Sequence, residues 1–409
     1  MEQSGADSSA HTQAGAARPR GRSGPPRPGA PSATFGYNRT VSDRFFSLCA
    51  AAVAVVAVLV LAPRAARANL TDELGPGFSL LKTDHYSIAY DTDREFARFH
   101  GRLFEATFGA FVAFFEASGF ALTMPSERLD VVLFESERRF RRYADDYGIV
   151  GGANGFYSIG SNRIAFYDAF DDANYRTLIA NVRERERELD ALKRSIAGRR
   201  RGRVRLQFGG GGAAEYSAKE AEAIVSRKQT ELLAERRRLQ TFFEERNLTT
   251  TIHECVHQLA FNLGVQNRFA DNPTWLAEGL ATYFETSGYA AAGPSGLRNP
   301  ERYEQYRAAR SANALIPLVT LLTDDGIFRD ADKAKRLKAY GQSWALFRYL
   351  SDARPVVFYE YLRVIAAERR LPDEAARKAR RLELFRAAFG EHLGAFERAW
   401  HAHADGALG

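Results

Sequence analysis

Residues 250–264 read T-T-I-H-E-C-V-H-Q-L-A-F-N-L-G. Ile252, Val256, Leu259, Ala260 and Leu263 recur at helical spacing, and Gly264 stands where a helix would stop. In such a helix His253 and His257 lie one turn apart on one face. That spacing lets two imidazoles grip one metal ion. Glu254 lies beside them, close enough to reach a water at the ion without being a ligand. This is the H-E-x-x-H pattern, with the glutamate as general base. Two ordinary helix histidines are the competing reading. A third ligand weighs against it, because a catalytic zinc needs three protein ligands and one open position.

Residues 272–285 read N-P-T-W-L-A-E-G-L-A-T-Y-F-E. Pro273 suits the first turn of a second helix. Glu278 comes 21 positions after His257, enough chain to leave the first helix, turn and return antiparallel. Glu285 lies two turns further on the same face and is expected to accept from a ligand imidazole. Asp271 is a weaker candidate for that task and is expected to cap the second helix. Cys255 points about 200° around the helix from His253 and reads as a buried thiol. His85, His100, His392, His401 and His403 have no ligand-spaced partners and read as structural.

H-E-C-V-H followed by W-L-A-E-G-L-A-T-Y-F-E resembles the gluzincin metallopeptidases, which include the thermolysin-like proteases and the zinc aminopeptidases. The second segment is similar to the aminopeptidase stretch W-L-N-E-G-F-A. With Tyr340-Gly341-Gln342-Ser343-Trp344 added, the motifs resemble more closely an uncharacterised bacterial family of exported gluzincin-like proteins. The strong match covers residues 250–286, and a weaker pattern runs through 83–170 and 335–403. The resemblance implies a zincin-like catalytic core, zinc on His253, His257 and Glu278, Glu254 as base, and a peptide or protein substrate that it does not name. Zinc would make water a nucleophile at neutral pH and polarise the scissile carbonyl, and Glu254 would move the proton. A downstream tyrosine stabilises the oxyanion in similar enzymes. Tyr340 is the candidate here, with a core-packed tyrosine as the alternative. The chain departs from the aminopeptidases in lacking a clear G-x-M-E-N equivalent. The resemblance also implies a sheet edge that pairs with the substrate backbone, for which Gly155–Ile159 and Arg163–Tyr167 are the candidates.

Around this centre the pattern is α+β. His85–Tyr90 and Leu129–Phe134 read as strands, Gly155–Ile159 and Arg163–Tyr167 as a hairpin, and Glu95–Phe120 and Glu135–Tyr147 as helices. Residues 173–247 carry two apolar stripes, Leu178, Val182, Leu189, Leu192, Ile196 and Ala221, Val225, Leu232, Leu239, Phe242, in otherwise charged sequence. They predict an antiparallel coiled-coil hairpin with a flexible tip at Arg199–Arg205 and Gly209–Gly212. The basic tip is either a solvated loop or a docking arm, and the hairpin either fences the cleft or binds a protein partner. Helices are expected over Pro300–Asn313, Asp332–Ser351, Pro355–Arg369, Asp373–Phe389 and His392–His403. The organisation is then a disordered basic tail (1–44), a signal peptide or anchor (45–68), an α+β part of the catalytic domain (69–172), the hairpin insertion (173–247), zinc-binding helices (248–290) and a helical C-terminal subdomain (291–409).

The 409 residues are 45% hydrophobic with only two cysteines, which allows a sizeable core and excludes a disulfide framework. The net charge is +7, but residues 1–68 hold eight Arg, no Lys and three acids. The body is nearly neutral and lacks the basic footprint that nucleic-acid binding requires. Phe45–Ala62 runs 18 positions without a charge, before Ala66-Arg67-Ala68. A cleaved secretory signal and an uncleaved membrane anchor both fit. Either places the body outside the cytoplasm: periplasmic, extracellular or membrane-anchored. Two functions fit the whole pattern, a zinc-dependent peptidase and a non-catalytic scaffold or binding protein of the same fold that works through its hairpin.

Overall fold

The computed structural model describes residues 70–149, 154–197, 202–207, 213–285 and 299–407. The expected tail, the signal or anchor segment and Gly209–Gly212 lie outside the described residues. Among the described residues no helix is long and apolar enough to cross a membrane.

The chain is α+β. A short helix, α1 (Leu70–Leu74), leads into β1 (Ser79–Lys82), β2 (Tyr86–Tyr90), α2 (Arg94–Ala117), β3 (Leu129–Phe134), α3 (Glu137–Asp145), β4 (Gly155–Ser158) and β5 (Arg163–Tyr167). The five strands form one mixed sheet in the order β1-β2-β3-β5-β4. The three inner strands are parallel, and the flanking strands β1 and β4 run antiparallel to their neighbours. Alternation assigns the faces. Ile88, Val131 and Ile164 pair in register and belong to the main core with α2, while Ala89, Val132 and Ala165 turn to a smaller core with Phe140 and Phe156. β3 is buried along its whole length, as its unbroken apolar run requires of a central parallel strand. Asp93 caps α2, whose Phe104, Phe108, Phe111, Phe114 and Phe115 face inward.

The hairpin follows as α4 (Ala173–Ala197), β6 (Arg203–Leu206), β7 (Ala214–Ser217) and α5 (Ala218–Asn262). Its stripe is buried at Ile179, Val182, Leu189 and Ile196 on α4, facing Ala221, Val225, Leu232, Leu239 and Phe243 on α5. The two long helices drift by one residue from the expected set at Leu178 and Phe242, because Ile179 and Phe243 take the inward positions. In place of a flexible tip, the described part of the turn is a two-stranded ribbon, β6 with β7, with Val204 and Leu206 buried. Ser217 and Glu220 close a capping box at the start of α5. That helix runs 45 residues without interruption, through position 247, where the sequence reading had passed from hairpin to zinc-binding helix.

The remainder is helical: α6 (Thr274–Phe284), α7 (Pro300–Ser311), α8 (Leu318–Thr323), α9 (Lys333–Ala353), α10 (Pro355–Ala367), α11 (Glu374–Phe389) and α12 (Leu393–Ala407). Two glycines let three of these helices close on one another. A Cβ on Gly279 would stand 2.8 Å from the Ser343 carbonyl oxygen, and one on Gly341 2.8 Å from the Tyr306 nitrogen. Backbone therefore meets backbone where α6 crosses α9 and where α9 crosses α7. The start of α6 differs from expectation. Pro273 is the N-cap, and the Thr274 amide donates to Asp325. Asp271 does not cap, because both its carboxylate oxygens are taken by Arg381 at 2.7 and 2.8 Å. A buried two-point ion pair outcompetes a local cap.

His100 has an ordinary structural role. It lies fully buried on α2, among Phe96, Phe99 and Phe166. Its Nδ1 meets the Thr251 hydroxyl at 3.0 Å, which itself donates to the Asn247 carbonyl, and its Nε2 has no partner. Burial lowers its pKa to about 3. A histidine depressed in the folded state leaves the unfolded chain binding the extra proton, so stability falls as pH drops from about 6.5 toward 3. His100→Phe should flatten that acid limb, by up to about 1.4 kcal/mol per pH unit within the window. Urea unfolding at a series of pH values measures it, and parallel limbs for the two proteins would contradict it.

Candidate metal centre

Helix α5 carries both histidines inward. Its last three turns bury Ile252 to Ala260 without a break, between the sheet on one side and α6 on the other. The polar side chains in this stretch are therefore held by specific partners. Gln258 donates to the Asp130 and Asn162 carbonyls at 3.0 and 2.9 Å. Asn262 exchanges two hydrogen bonds with Asn162 in the β4–β5 turn. These contacts fix the helix against the sheet one and two turns beyond Glu254.

The three expected ligands converge. His253 Nε2 and His257 Nε2 stand 3.1 Å apart. Glu278 Oε2, from α6, is 3.2 Å from the first and 3.7 Å from the second. Among the described residues this is the only His/Cys/Asp/Glu group so arranged. All three are at most 1% exposed. Donors about 2 Å from a shared tetrahedral ion stand about 3.3 Å from one another, which is near the spacing found. Two facing imidazole nitrogens and a carboxylate oxygen also form a donor set that suits zinc. None of the other five described histidines joins the cluster. His85 pairs with Glu105 and stacks on Phe108, His401 meets the Tyr306 hydroxyl, and His403 approaches Asp352.

Glu285, just beyond α6, sits where the sequence placed it, with Oε2 3.0 Å from His253 Nδ1. A carboxylate at Nδ1 makes that nitrogen the donor and turns the Nε2 lone pair toward the centre. Glu285 is itself held by Asn299 at 2.8 Å and by Arg302, with Nε at 2.7 Å and Nη2 at 3.3 Å. Sequence reasoning missed Asn299 and Arg302. The Asn299-Pro300 start of α7 is visible as a cap and first turn, but no local spacing ties it to Glu285.

The carboxylates divide by environment. Burial would raise Glu278, but the two histidines outweigh it and hold the group down to about 2. Burial would raise Glu285, but Arg302 and His253 likewise hold it at about 2. Glu254 goes the other way. Its burial dominates the pull of the histidines and raises its pKa. Neither of its oxygens has a hydrogen-bond partner, although the Tyr157 amide on β4 acts on it from beyond hydrogen-bond geometry. Two of the three carboxylates are thus held down as anions, and burial pushes the third the other way.

Tyr340 lies on α9, edge-on to Phe328. Burial and then the charge of Glu278 raise its pKa well above the phenol range, with Glu254 and Glu285 adding to the effect. It keeps its proton and remains a donor within electrostatic reach of the ligands. Cys255 is a buried thiol, as expected, 3.2 Å from the Tyr86 hydroxyl, with burial pushing it up to about 12. The hairpin strands separate cleanly. β5 is paired on both sides, so Arg163–Tyr167 cannot add a substrate strand, and β4 alone of the two lies at the sheet edge.

The family described as a protein of unknown function, DUF1570, matches residues 247–372. That range spans the ligand part of α5, all of α6 and α9, and Tyr340. No curated protein and no solved structure matches the chain.

The purified full-length chain should carry about one metal ion, measured as zinc by elemental analysis, and His253→Ala should carry none. Gly279→Ala forces a methyl onto the Ser343 carbonyl. It should destabilise the fold by about 1–3 kcal/mol and lower metal content with it. Thermal unfolding of the variant at the parent's midpoint would show the helices can part without loss.

Proposed function

We propose that this chain is a zinc-dependent peptidase. The observation that carries the reading is the partnerless carboxylate of Glu254 beside three converging ligand atoms. Zinc, when held by His253, His257 and Glu278, supplies a Lewis acid that makes water nucleophilic at neutral pH and polarises a carbonyl. Glu254 takes the proton of the attacking water and returns it to the leaving amine. Its free oxygens and raised pKa suit both transfers. Glu285 holds the His253 ring in one tautomer. Tyr340 keeps its phenol proton and donates toward the developing oxyanion. The edge strand β4, whose Tyr157 amide already faces Glu254, is the element that would align a substrate backbone by strand addition. The A-x-A site after the apolar run supports action outside the cytoplasm, and the hairpin offers a surface for a protein partner.

The second reading is a structural metal centre in a non-catalytic scaffold. The closure of the site favours it, since Glu254, His253, His257 and Glu278 are all within 1% of complete burial. Glu254 weighs against it, because a structural site has no use for a buried carboxylate without partners, which costs roughly 1–3 kcal/mol or more.

The discriminating experiment exposes the zinc-loaded full-length chain to a proteome-derived peptide library and reads new termini by mass spectrometry. The parent should cleave. Glu254→Gln should keep its zinc and lose about 10²–10⁴-fold in rate, and Tyr340→Phe about 10²-fold or more. A metal-replete parent that cleaves nothing returns the chain to the scaffold reading.

A further inference from the structure

Among the described residues Arg302 is the guanidinium that reaches Glu285, and no motif announced it. It is 8% exposed. Its fork grips both oxygens of Glu285, while Nη1 donates to Gln305 at 3.1 Å. Its flat face lies over the Tyr340 ring, 5.3 Å from the centroid, within cation–π range. Its backbone is fixed as well. The amide donates to Asn299 at 3.1 Å, and Asn299 also binds Glu285. The carbonyl presses against Gly341, where a Cβ would stand 3.0 Å away. The side chain is thus clamped at its root, along its plane and at its tip. Glu285 has one oxygen for His253 and shares both with Arg302, so the arginine decides where the carboxylate points.

We propose that Arg302 is a positioning residue that sets the metal affinity of the site by holding Glu285, and through it His253. The inference rests on the zinc-site reading above. A lysine keeps the charge but has neither the planar fork nor the stacking face, so charge alone does not do the work.

The test measures zinc affinity of the full-length apoprotein by competition with a fluorescent chelator, with folding checked by circular dichroism. Arg302→Met should weaken zinc by about 10–100-fold, the range for removing outer supports of a ligand. Arg302→Lys, the variant more certain to fold because it buries no unpaired carboxylate, should weaken it severalfold. Arg302→Met combined with Glu285→Gln should be no weaker than Glu285→Gln alone, because the arginine acts through the glutamate. Parental affinity in a folded Arg302→Lys or Arg302→Met protein overturns the inference, and so does a double variant whose loss is the product of the two single losses. A parent that binds no zinc overturns the metal reading itself and this inference with it. Parental zinc binding with unchanged variants overturns this inference alone.

Discussion

Three carboxylates and two imidazoles sit within one apolar interior, and such groups stay there only if they are paired with one another, with a metal or with a fixed counter-charge. Every helix near the centre answers that demand. Helix α5 brings the imidazoles, α6 the ligand carboxylate, α7 the arginine and α9 the phenol. The compensation is graded. Glu285 is satisfied by Asn299, Arg302 and His253, and Glu278 by the charges of two histidines. Glu254 is left with no partner. It alone of the three has both oxygens buried without a hydrogen bond.

Close approach makes this pairing geometrically possible. Glu278 and Gly279 are neighbours, one facing the imidazoles and the other bringing α6 onto α9. Tyr340 and Gly341 repeat the arrangement, one near the centre and the other bringing α9 onto α7. In both pairs a candidate site residue is followed at once by the glycine that seats its helix. At the start of α6, Arg381 binds Asp271 and Asp325 together, and Asp325 holds the first amide of the helix. The ligand helix is therefore fixed at its start by one buried ion network and at its end by another.

The triad, Glu254 and Glu285 were legible because their geometry is local. Spacings of four and seven residues put side chains on one helix face whatever surrounds the helix, and a 21-residue excursion suffices for a return. The apolar run of β3 announced a buried strand for the same reason. What could not be read depended on tertiary choice. Strand order decided that β4 and not β5 is the edge. Arg381 diverted Asp271 from a cap that local rules favoured. Arg302 reaches Glu285 from a separate helix, with no fixed interval between them. The ribbon at the hairpin tip is built from Val204 and Leu206, which alternate over too few residues to stand out among the arginines around them. Tyr340 became a candidate by resemblance, and its burial is a matter of how α9 packs.

A final consequence follows from the uninterrupted α5. A helix of 45 residues is a rod about 65 Å long, with the capping box of Ser217 at one end and His253 and His257 near the other. No loop interrupts the helix between the ribbon and the two histidines. A torque applied at the ribbon arrives at the imidazoles as rotation about the helix axis, which carries both nitrogens together and changes their distances to Glu278 on α6. The hairpin and the candidate metal site are mechanically one part.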